Sequence, residues 1–440
     1  MQLLASQLWI ILAISLLATC THAQAQSDAE EQSSSDTVNK QAEAGIEDAG
    51  DGEESLPKKK RTLTYNEYEG PLLYTRVGAL IIGDYNTFSQ DQTSVAQVGN
   101  IPNEFEFRAA RLVVRGTMGK NRRISYFYAG EYNGMSREPD DSALRMTDLA
   151  FTYDLEKYGD LTLGKTKEPI HLARIMPGDG VLLMERAAMD ALVPSRGTGI
   201  KLHNTALNQN LTWTVGWFSD FFASGNSTRD LHKQFTGRVT GTPVYEDDGR
   251  KLVHLGLAYR HAHASGNTLR FRERPEANTA PDFIDTGEFP ADKSRTVNLE
   301  FGTVHGPWSL QAEYLAMRVS SPETGNPRFN GWYLAGSWIL TGESRSYSRK
   351  GGFFYKVAPN ASLGRGSQGF GAVELTMRYS NTDLNDGGVS GGEFRRWSVG
   401  ANWYATDQWR LEVNYGQGRL DRFGLNGDTD FLQFRLQWQF

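Results

Sequence analysis

The sequence is nearly devoid of cysteine, and its single thiol, Cys20, lies in an apolar stretch near the N-terminus. If that stretch is removed on export, a disulfide framework, a zinc–thiolate site and cysteine catalysis are all excluded. Proline is also scarce, at 15 of 440 residues, which argues against proline-rich disorder. No apolar run approaches the ~18 residues that a membrane helix needs, and this excludes a helical membrane protein.

The residue types that are abundant favour β-structure. The chain has 46 glycines and 11% aromatic residues, while hydrophobic residues make up only 39% and the mean hydropathy is −0.50. Many aromatics and glycines without a spanning helix leave two main classes, a secreted all-β protein or a transmembrane β-barrel.

The N-terminus has the features of an export signal. Residues 8–18 form an apolar stretch of signal-peptide length, and small residues follow at Ala23 and Ala25. We therefore expect a signal peptide over residues 1–25. Cys20 leaves open a lipoprotein signal, in which that residue would be acylated. Both interpretations predict an exported protein.

An acidic, low-complexity segment follows over residues 26–64, and we expect it to lie in the periplasm. Within it, residues 27–55 contain ten acidic residues and one basic residue, a net charge of −9. Almost no large apolar residue is present, so the segment cannot bury a core. Because the whole chain carries −6, the remainder carries +3. Its basic residues are mostly arginine, the side chain suited to bidentate contacts with oxyanions.

The remaining residues, 65–440, are predicted to form one all-β domain, a 16-stranded antiparallel transmembrane β-barrel. Segments of about ten residues alternate in polarity, which is the repeat of a membrane barrel. In the last segment Leu432, Phe434 and Leu436 share one face, and polar residues share the other. The predicted strands are 72–85, 105–117, 122–132, 143–154, 159–167, 197–204, 209–218, 233–243, 251–263, 294–304, 306–319, 328–341, 369–381, 394–404, 407–418 and 430–440.

Two features of the connections bear on this prediction. The long outer loops are expected at 86–104, 168–196, 264–293 and 419–429. Residues 342–368 are long where a short turn is expected, so they either fold against the barrel mouth or contain two further strands, for a total of eighteen. A β-sandwich would alternate as well, but apolar faces that end in Trp403, Trp409 and Trp438 match the aromatic girdles of a barrel.

Short motifs in a characteristic order surround the third long loop. They are Gly164–Pro169, Met184–Arg186 and Leu192–Gly199, with further matches at Arg108–Gly116, Leu340–Tyr347 and Lys356–Pro359. In their order and spacing the chain resembles the phosphate-selective porin O/P family over roughly residues 65–440. The resemblance implies a homotrimeric channel in the bacterial outer membrane, surrounded by outer-membrane lipid, with the third loop folded into each pore. Small anions would be the transported solutes, and no cofactor and no nucleic-acid partner is expected.

Basic residues predicted to face the lumen suggest a preference for anions. The wall candidates are Arg111, Arg115, Arg238 and Arg260. The stronger candidates are Lys165, Lys167 and Arg174, because they lie on or beside the third long loop. The same faces also carry glutamates, so the alternative is that wall arginines form bracing ion pairs across neighbouring strands.

The predicted function is a passive, anion-preferring channel of the phosphate or polyphosphate type, and not an enzyme. Met176–Asp179 follow Arg174 where the resemblance implies serines, so a weaker anion preference is expected than strict phosphate selectivity. A general or sugar/peptide-type porin with little ion selectivity remains the alternative. A barrel enzyme would need a Ser/His or Asp/His constellation, and the eight histidines do not form one. His261 and His263 could bind a metal only with a third ligand, and no metal site is predicted.

Overall fold

The computed structural model describes residues 65–132, 144–219, 234–364 and 369–440. The predicted signal peptide, 1–25, and the acidic segment, 26–64, lie outside the described residues. Within these residues no helix is long and apolar enough to cross a membrane.

Sixteen long strands of the described chain form one antiparallel sheet that closes on itself, which confirms the predicted barrel. Each strand pairs with the next, and the last pairs with the first, where Ile81 lies opposite Trp438. In chain order the strands are β1 (Leu73–Gln90), β2 (Glu104–Met118), β3 (Ile124–Tyr132), β4 (Leu144–Asp154), β5 (Asp160–Thr166), β6 (Gly197–Ala206), β7 (Leu211–Ser219), β8 (Gln234–Glu246), β9 (Lys251–His263), β10 (Lys293–His305), β11 (Trp308–Ser320), β12 (Arg328–Ile339), β13 (Ala372–Asp386), β14 (Val389–Tyr404), β15 (Trp409–Arg422) and β16 (Leu425–Gln439).

Shorter elements lie in the connections. The helices are α1 (Gln92–Val98), in which Asp91 caps the backbone N–H of Ser94, and α2 (Leu172–Ile175). The 3₁₀ turns are Glu156–Tyr158, Gly178–Gly180, Ala188–Leu192, Asp247–Gly249, Ser265–Asn267 and Pro322–Thr324. Short strands pair as Thr268–Leu269 with Phe289–Pro290, Arg272–Glu273 with Ile284–Asp285, and Tyr347–Ser348 with Phe353–Phe354. The strand Glu67–Glu69 pairs with the start of β1.

The outer face of the barrel is apolar and the inner face is polar, because successive side chains of a strand point to opposite sides of the sheet. In β16 Leu432, Phe434 and Leu436 are 36–47% exposed, whereas the intervening Gln433 and Arg435 are buried. Aromatic side chains edge this outer band. Trp308 and Trp338 stack at 4.8 Å near the end with short turns, and Tyr259, Tyr379, Trp397 and Tyr415 lie toward the end with long loops. The short-turn end is therefore the periplasmic one.

The prediction of a long loop at 419–429 is wrong. Strand β15 continues to Arg422, and β16 begins at Leu425, after a turn in which Phe423 and Gly424 both have positive φ. Two positive φ values are what a two-residue hairpin turn requires. The outward side chains here are charged, as in the Arg419–Asp428 ion pair of 2.7 Å. The outward face is polar and Leu420 is buried on the inward face, so these positions lack the alternation of a lipid-facing strand.

The long segment at the periplasmic end folds against the barrel interior over its described residues 340–364. The described part of the segment adds no barrel strand, so of the two alternatives the first is confirmed. Phe354 is buried beside Leu172 of the third loop and Leu252 of the wall. Arg345 donates to the carbonyl of Gly180 at 2.9 Å. The segment thereby contacts the third loop from the periplasmic side.

Two adjacent residues in the middle of β2 can be used to test which side of the strand faces lipid and which faces the lumen. Leu112 is 48% exposed on the outer face, and Val113 lies between Arg111 and Arg115 on the inner face. Charge on a lipid face is destabilising, by about 2–4 kcal/mol for Arg or Lys at the midplane and less for an acid. Leu112→Glu should therefore lower the folded fraction in vesicles, measured as the heat-modifiable gel band. Val113→Glu should fold like the wild type, and equal folding of the two variants would contradict the assignment.

Candidate functional site

The third loop, residues 167–196, runs along the inside of the barrel wall. Glu313 of β11 accepts hydrogen bonds from the backbone N–H groups of Leu172 at 2.7 Å and Ala173 at 2.9 Å. Further along, wall side chains donate to loop carbonyls: Arg410 to Asp179 and Val181, Asn402 to Leu182, and Arg435 to Met184. An irregular loop leaves its carbonyls without regular partners, and arginine offers five donors to satisfy them. The inward-folded third loop expected from the family resemblance is confirmed.

Glu185 ties the loop to the seam where the first and last strands meet. Its carboxylate pairs with Arg108 of β2 and Arg435 of β16, each at 2.7 Å. Arg435 also pairs with Asp84 of β1 at 2.7 Å. Burial alone would raise the pKa of Glu185, but the guanidinium groups of Arg108 and Arg435 outweigh it and hold this pKa well below its ordinary value. The loop is therefore fixed by a permanent negative charge.

A second loop folds inward, which the sequence did not predict. This fifth loop, residues 264–292, places the buried Glu276 against the wall, where its carboxylate accepts hydrogen bonds from Arg378 and Ser380. The same carboxylate accepts from the backbone N–H of Ala188 in the third loop at 3.3 Å. Arg396 donates to the carbonyl of Glu276 at 3.1 Å. Glu276 lies in an irregular segment without a repeating pattern of polarity, so the sequence did not indicate that its carboxylate would be buried against the wall.

Four of the predicted anion-binding residues lie in ion pairs. The pairs are Arg111 with Glu131, Arg174 with Asp190, Arg238 with Glu300 and Arg260 with Glu168, at 2.5–2.9 Å. Only the Arg111–Glu131 pair joins neighbouring strands, as the bracing alternative describes; the other three pairs lie within the third loop, between the wall and that loop, or between β8 and β10. The pairing leaves these four guanidinium groups little net charge for a solute.

Two other predicted residues have different surroundings. Arg115 is exposed near the periplasmic mouth and lies directly opposite Arg76 of β1. Neither arginine forms an ion pair within the described chain. Lys165 follows Leu163 by two residues and therefore shares its outward strand face, and its ammonium donates to the carbonyl of Met146 at 2.9 Å.

Three cations beside the third loop have no carboxylate within ion-pair distance in the described residues. We call Lys167, Arg186 and Lys201 the constriction cations. Lys167 donates to the carbonyl of Met176 at 2.7 Å, and Arg186 donates to that of Ala173 at 2.6 Å. Lys201 of β6 is inward, because its neighbour Ile200 is exposed on the outer face, and its ammonium lies 3.3 Å from the hydroxyl of Thr166.

The surroundings of the constriction cations are mostly positive. The charges that act on Lys167 are those of Arg186, Arg196, Arg111 and one acid, Asp148. Asp148 is already paired with Arg196 at 2.9 Å. Burial lowers the pKa of Arg186 to about 10, while Asp190 opposes this shift. Arg186 thus stays protonated at neutral pH and supplies a positive charge that can attract an oxyanion. Burial and the neighbouring Arg186 and Arg196 lower the pKa of Lys167 well below its ordinary value.

Of these three cations, sequence reasoning found only Lys167. Arg186 belongs to the Met184–Arg186 motif, but nothing in that motif indicated that its neighbour Glu185 would be paired elsewhere. Lys201 could have been found from the alternation of β6. Asp190 gave no signal as the partner of Arg174, because the two residues meet only through the fold of the loop.

No group of three or more metal-ligating side chains occurs among the described residues. His261 and His263 do meet, with ring centroids 5.0 Å apart.

Three comparisons relate the chain to known proteins. The family described as phosphate-selective porin O and P matches residues 77–440. An uncharacterized protein of Caulobacter vibrioides is 30% identical over 74% of the chain, and the match covers 65% of that protein, less than two thirds of its length. Porin O of Pseudomonas aeruginosa is 24% identical over 83% of the chain and 88% of its own length.

A solved structure has the same fold. The anion-selective porin from Comamonas acidovorans superposes with a TM-score of 0.52 over 83% of this chain and 99% of that one, at 12% identity. The match to the family covers the barrel from residue 77 onward and includes the third loop and its cations. The chain therefore belongs to the phosphate-selective porin O and P family, and its barrel lies in the bacterial outer membrane.

Proposed function

We propose that the barrel is a passive diffusion channel that prefers small anions, with inorganic phosphate among its solutes. The observation that carries this proposal is the constriction cluster of Lys167, Arg186 and Lys201, which has no neutralising carboxylate among the described residues. The family and the fold indicate a channel rather than an enzyme.

Selectivity should arise where the passage is narrowest, because low-dielectric walls focus the field of a charge there. Charges in ion pairs contribute little net field, and unpaired charges are screened beyond ~8 Å at physiological salt. The constriction cations should therefore outweigh the paired wall arginines. Arg76 and Arg115 would extend the positive lining toward the periplasmic mouth.

One observation favours the alternative of a general or sugar/peptide-type channel with little ion selectivity. Most lumenal arginines are neutralised, as Arg238 is by Glu300 and Arg260 is by Glu168. Reversal potentials in planar bilayers with chloride, phosphate and gluconate separate the two proposals. A potential near zero across a salt gradient would favour the unselective channel.

We also propose a homotrimer, on the support of the family resemblance. The mass of the detergent-solubilised protein, measured by light scattering and by cross-linking, should correspond to three copies. A monomeric mass under conditions that preserve conductance would contradict this.

Removing one constriction cation should weaken anion preference. Arg186→Gln takes away one unpaired charge beside the pore, and a charge at ~4 Å in water contributes about 1 kcal/mol. The anion-to-cation permeability ratio should therefore fall roughly threefold to fivefold, measured as a reversal potential in a potassium chloride gradient.

Lys120→Gln is the matched control, since it removes the same charge at an exposed periplasmic turn. Its reversal potential should equal that of the wild type. An unchanged potential for Arg186→Gln would mean that the third loop does not set selectivity.

Loosening the third loop should affect the current in a different way. Glu313→Gln cannot accept all the hydrogen bonds that hold Leu172 and Ala173, and an unsatisfied buried group costs about 1–3 kcal/mol. We expect larger open-channel current fluctuations in single-channel recordings. Glu131→Gln removes one lumenal carboxylate without touching the loop, so it should shift selectivity toward anions but leave the fluctuations unchanged. Equal noise in the two variants would show that Glu313 does not restrain the loop.

A further inference from the structure

A row of arginines crosses the outer surface of the barrel near its extracellular end. Arg295 of β10 lies directly opposite Arg318 of β11, and Arg318 lies directly opposite Arg328 of β12. All three side chains are exposed. We call these three residues the outer arginine row. They are spread over 34 positions of sequence and meet only because the strands are in register.

The row lies at the edge of the lipid-facing band. Arg295 is the next outward residue above Val297, which is 40% exposed, and Arg318 is the next above Ala316. Arg328 shares the outward face of β12 with Leu334, which is 47% exposed. Two residues along a strand span about 7 Å. The guanidinium groups are thus at the level where the headgroups of the outer leaflet begin.

None of the three guanidinium groups forms an ion pair within the described part of the protein. The nearby Asp386 carboxylate accepts instead from the backbone N–H of Arg328 at 2.7 Å. His261, opposite Arg295 on β9, adds no acid. The charges acting on His261 come from His263, Arg295, Lys293 and Arg260. Like charges directly opposite each other on neighbouring strands are destabilising, so an anion from outside the chain would relieve this repulsion.

Nearby strands of the barrel show that this is a local feature. Outward arginines at the same end of β14 and β15 are neutralised by their own neighbours. Arg395 pairs with Glu393, and Arg419 pairs with Asp428. The same residue type at the same end of the barrel therefore has an internal partner on β14 and β15 and none, among the described residues, in the outer arginine row.

We propose that the outer arginine row binds the anionic headgroup of an outer-leaflet glycolipid, of the lipid A type. Guanidinium groups bind phosphate or carboxylate oxygens in bidentate fashion, and three in a row match a headgroup with more than one such group. The acyl chains of the same lipid would pack on the apolar band below, beside Val297. A free anion would gain only the first of these contacts, and a glycolipid gains both. This inference depends on the barrel and its membrane and not on the anion preference of the pore.

The test compares two double variants of the full chain in detergent. Arg295→Gln/Arg318→Gln removes two charges of the row, and Arg395→Gln/Arg419→Gln removes two paired charges as the matched control. The probe is lipid A with two phosphates, and dephosphorylated lipid A and inorganic phosphate are the comparison ligands. Binding is read by native mass spectrometry and by the increase in thermal stability that the lipid produces.

The first variant should bind phosphorylated lipid A roughly tenfold or more weakly than the wild type, and the control should bind it normally. The wild type should bind dephosphorylated lipid A more weakly than phosphorylated lipid A, and inorganic phosphate should not reproduce the stabilisation. Arg295→Lys/Arg318→Lys keeps the charge and should retain most of the affinity, which guards against a folding defect in the glutamine variant.

Three results would overturn the proposal. One is unchanged lipid A binding by Arg295→Gln/Arg318→Gln, and another is an equal loss in the control. The third is a change in the number of copies per particle with lipid binding intact, which would make the row a contact between copies of the chain. Because ion selectivity is measured separately, failure here leaves the proposed channel function unaffected.

Discussion

The closure of the sheet between β1 and β16 is the constraint on which the rest of the structure depends. Hydrocarbon offers no water to unpaired N–H and C=O groups, so the sheet cannot leave an edge exposed. The two strands pair from Leu80 opposite Gln439 to Gln90 opposite Thr429. On the inner side of this seam, Arg435 binds Asp84 and also Glu185 of the third loop. The contact that closes the barrel therefore also positions the loop that narrows it.

The interior follows from the same constraint, since sixteen strands enclose a space too wide for wall side chains to fill. The third and fifth loops and the segment 340–364 fill part of it, and their irregular backbones need donors and acceptors. Arg345, Arg396 and Arg410 supply the donors from the wall or the mouth. This part of the lumen is packed as a polar core. The constriction cations remain beside the third loop, where Lys201 on β6 keeps partial exposure.

Arginines with similar sequence surroundings have three different roles in this barrel. Arg238 faces inward and is neutralised by Glu300. Arg186 also faces the interior, but Glu185 beside it is already bound to Arg108 and Arg435, so its charge is available. Arg318 faces outward, where its register partners are two further arginines. The strand face and the nearest carboxylate, rather than the residue type, decide whether the charge is paired in the interior, unpaired beside the third loop or exposed on the outer surface.

The alternation of polarity alone predicted the closed antiparallel barrel and the faces of residues such as Leu436 and Arg435, because lipid and lumen impose a period of two that is local in sequence. It left the strand number at sixteen or eighteen, and it failed where the outward face is polar, as at Arg419 and Asp428 above the lipid band. Only the tertiary structure decided which charges are free. Asp190 reaches Arg174 through the path of a loop, Glu276 reaches Arg378 across 102 positions, and the outer arginine row forms through strand register. Ion pairing depends on distances of a few ångströms between distant segments, and such distances leave no periodic trace in the sequence.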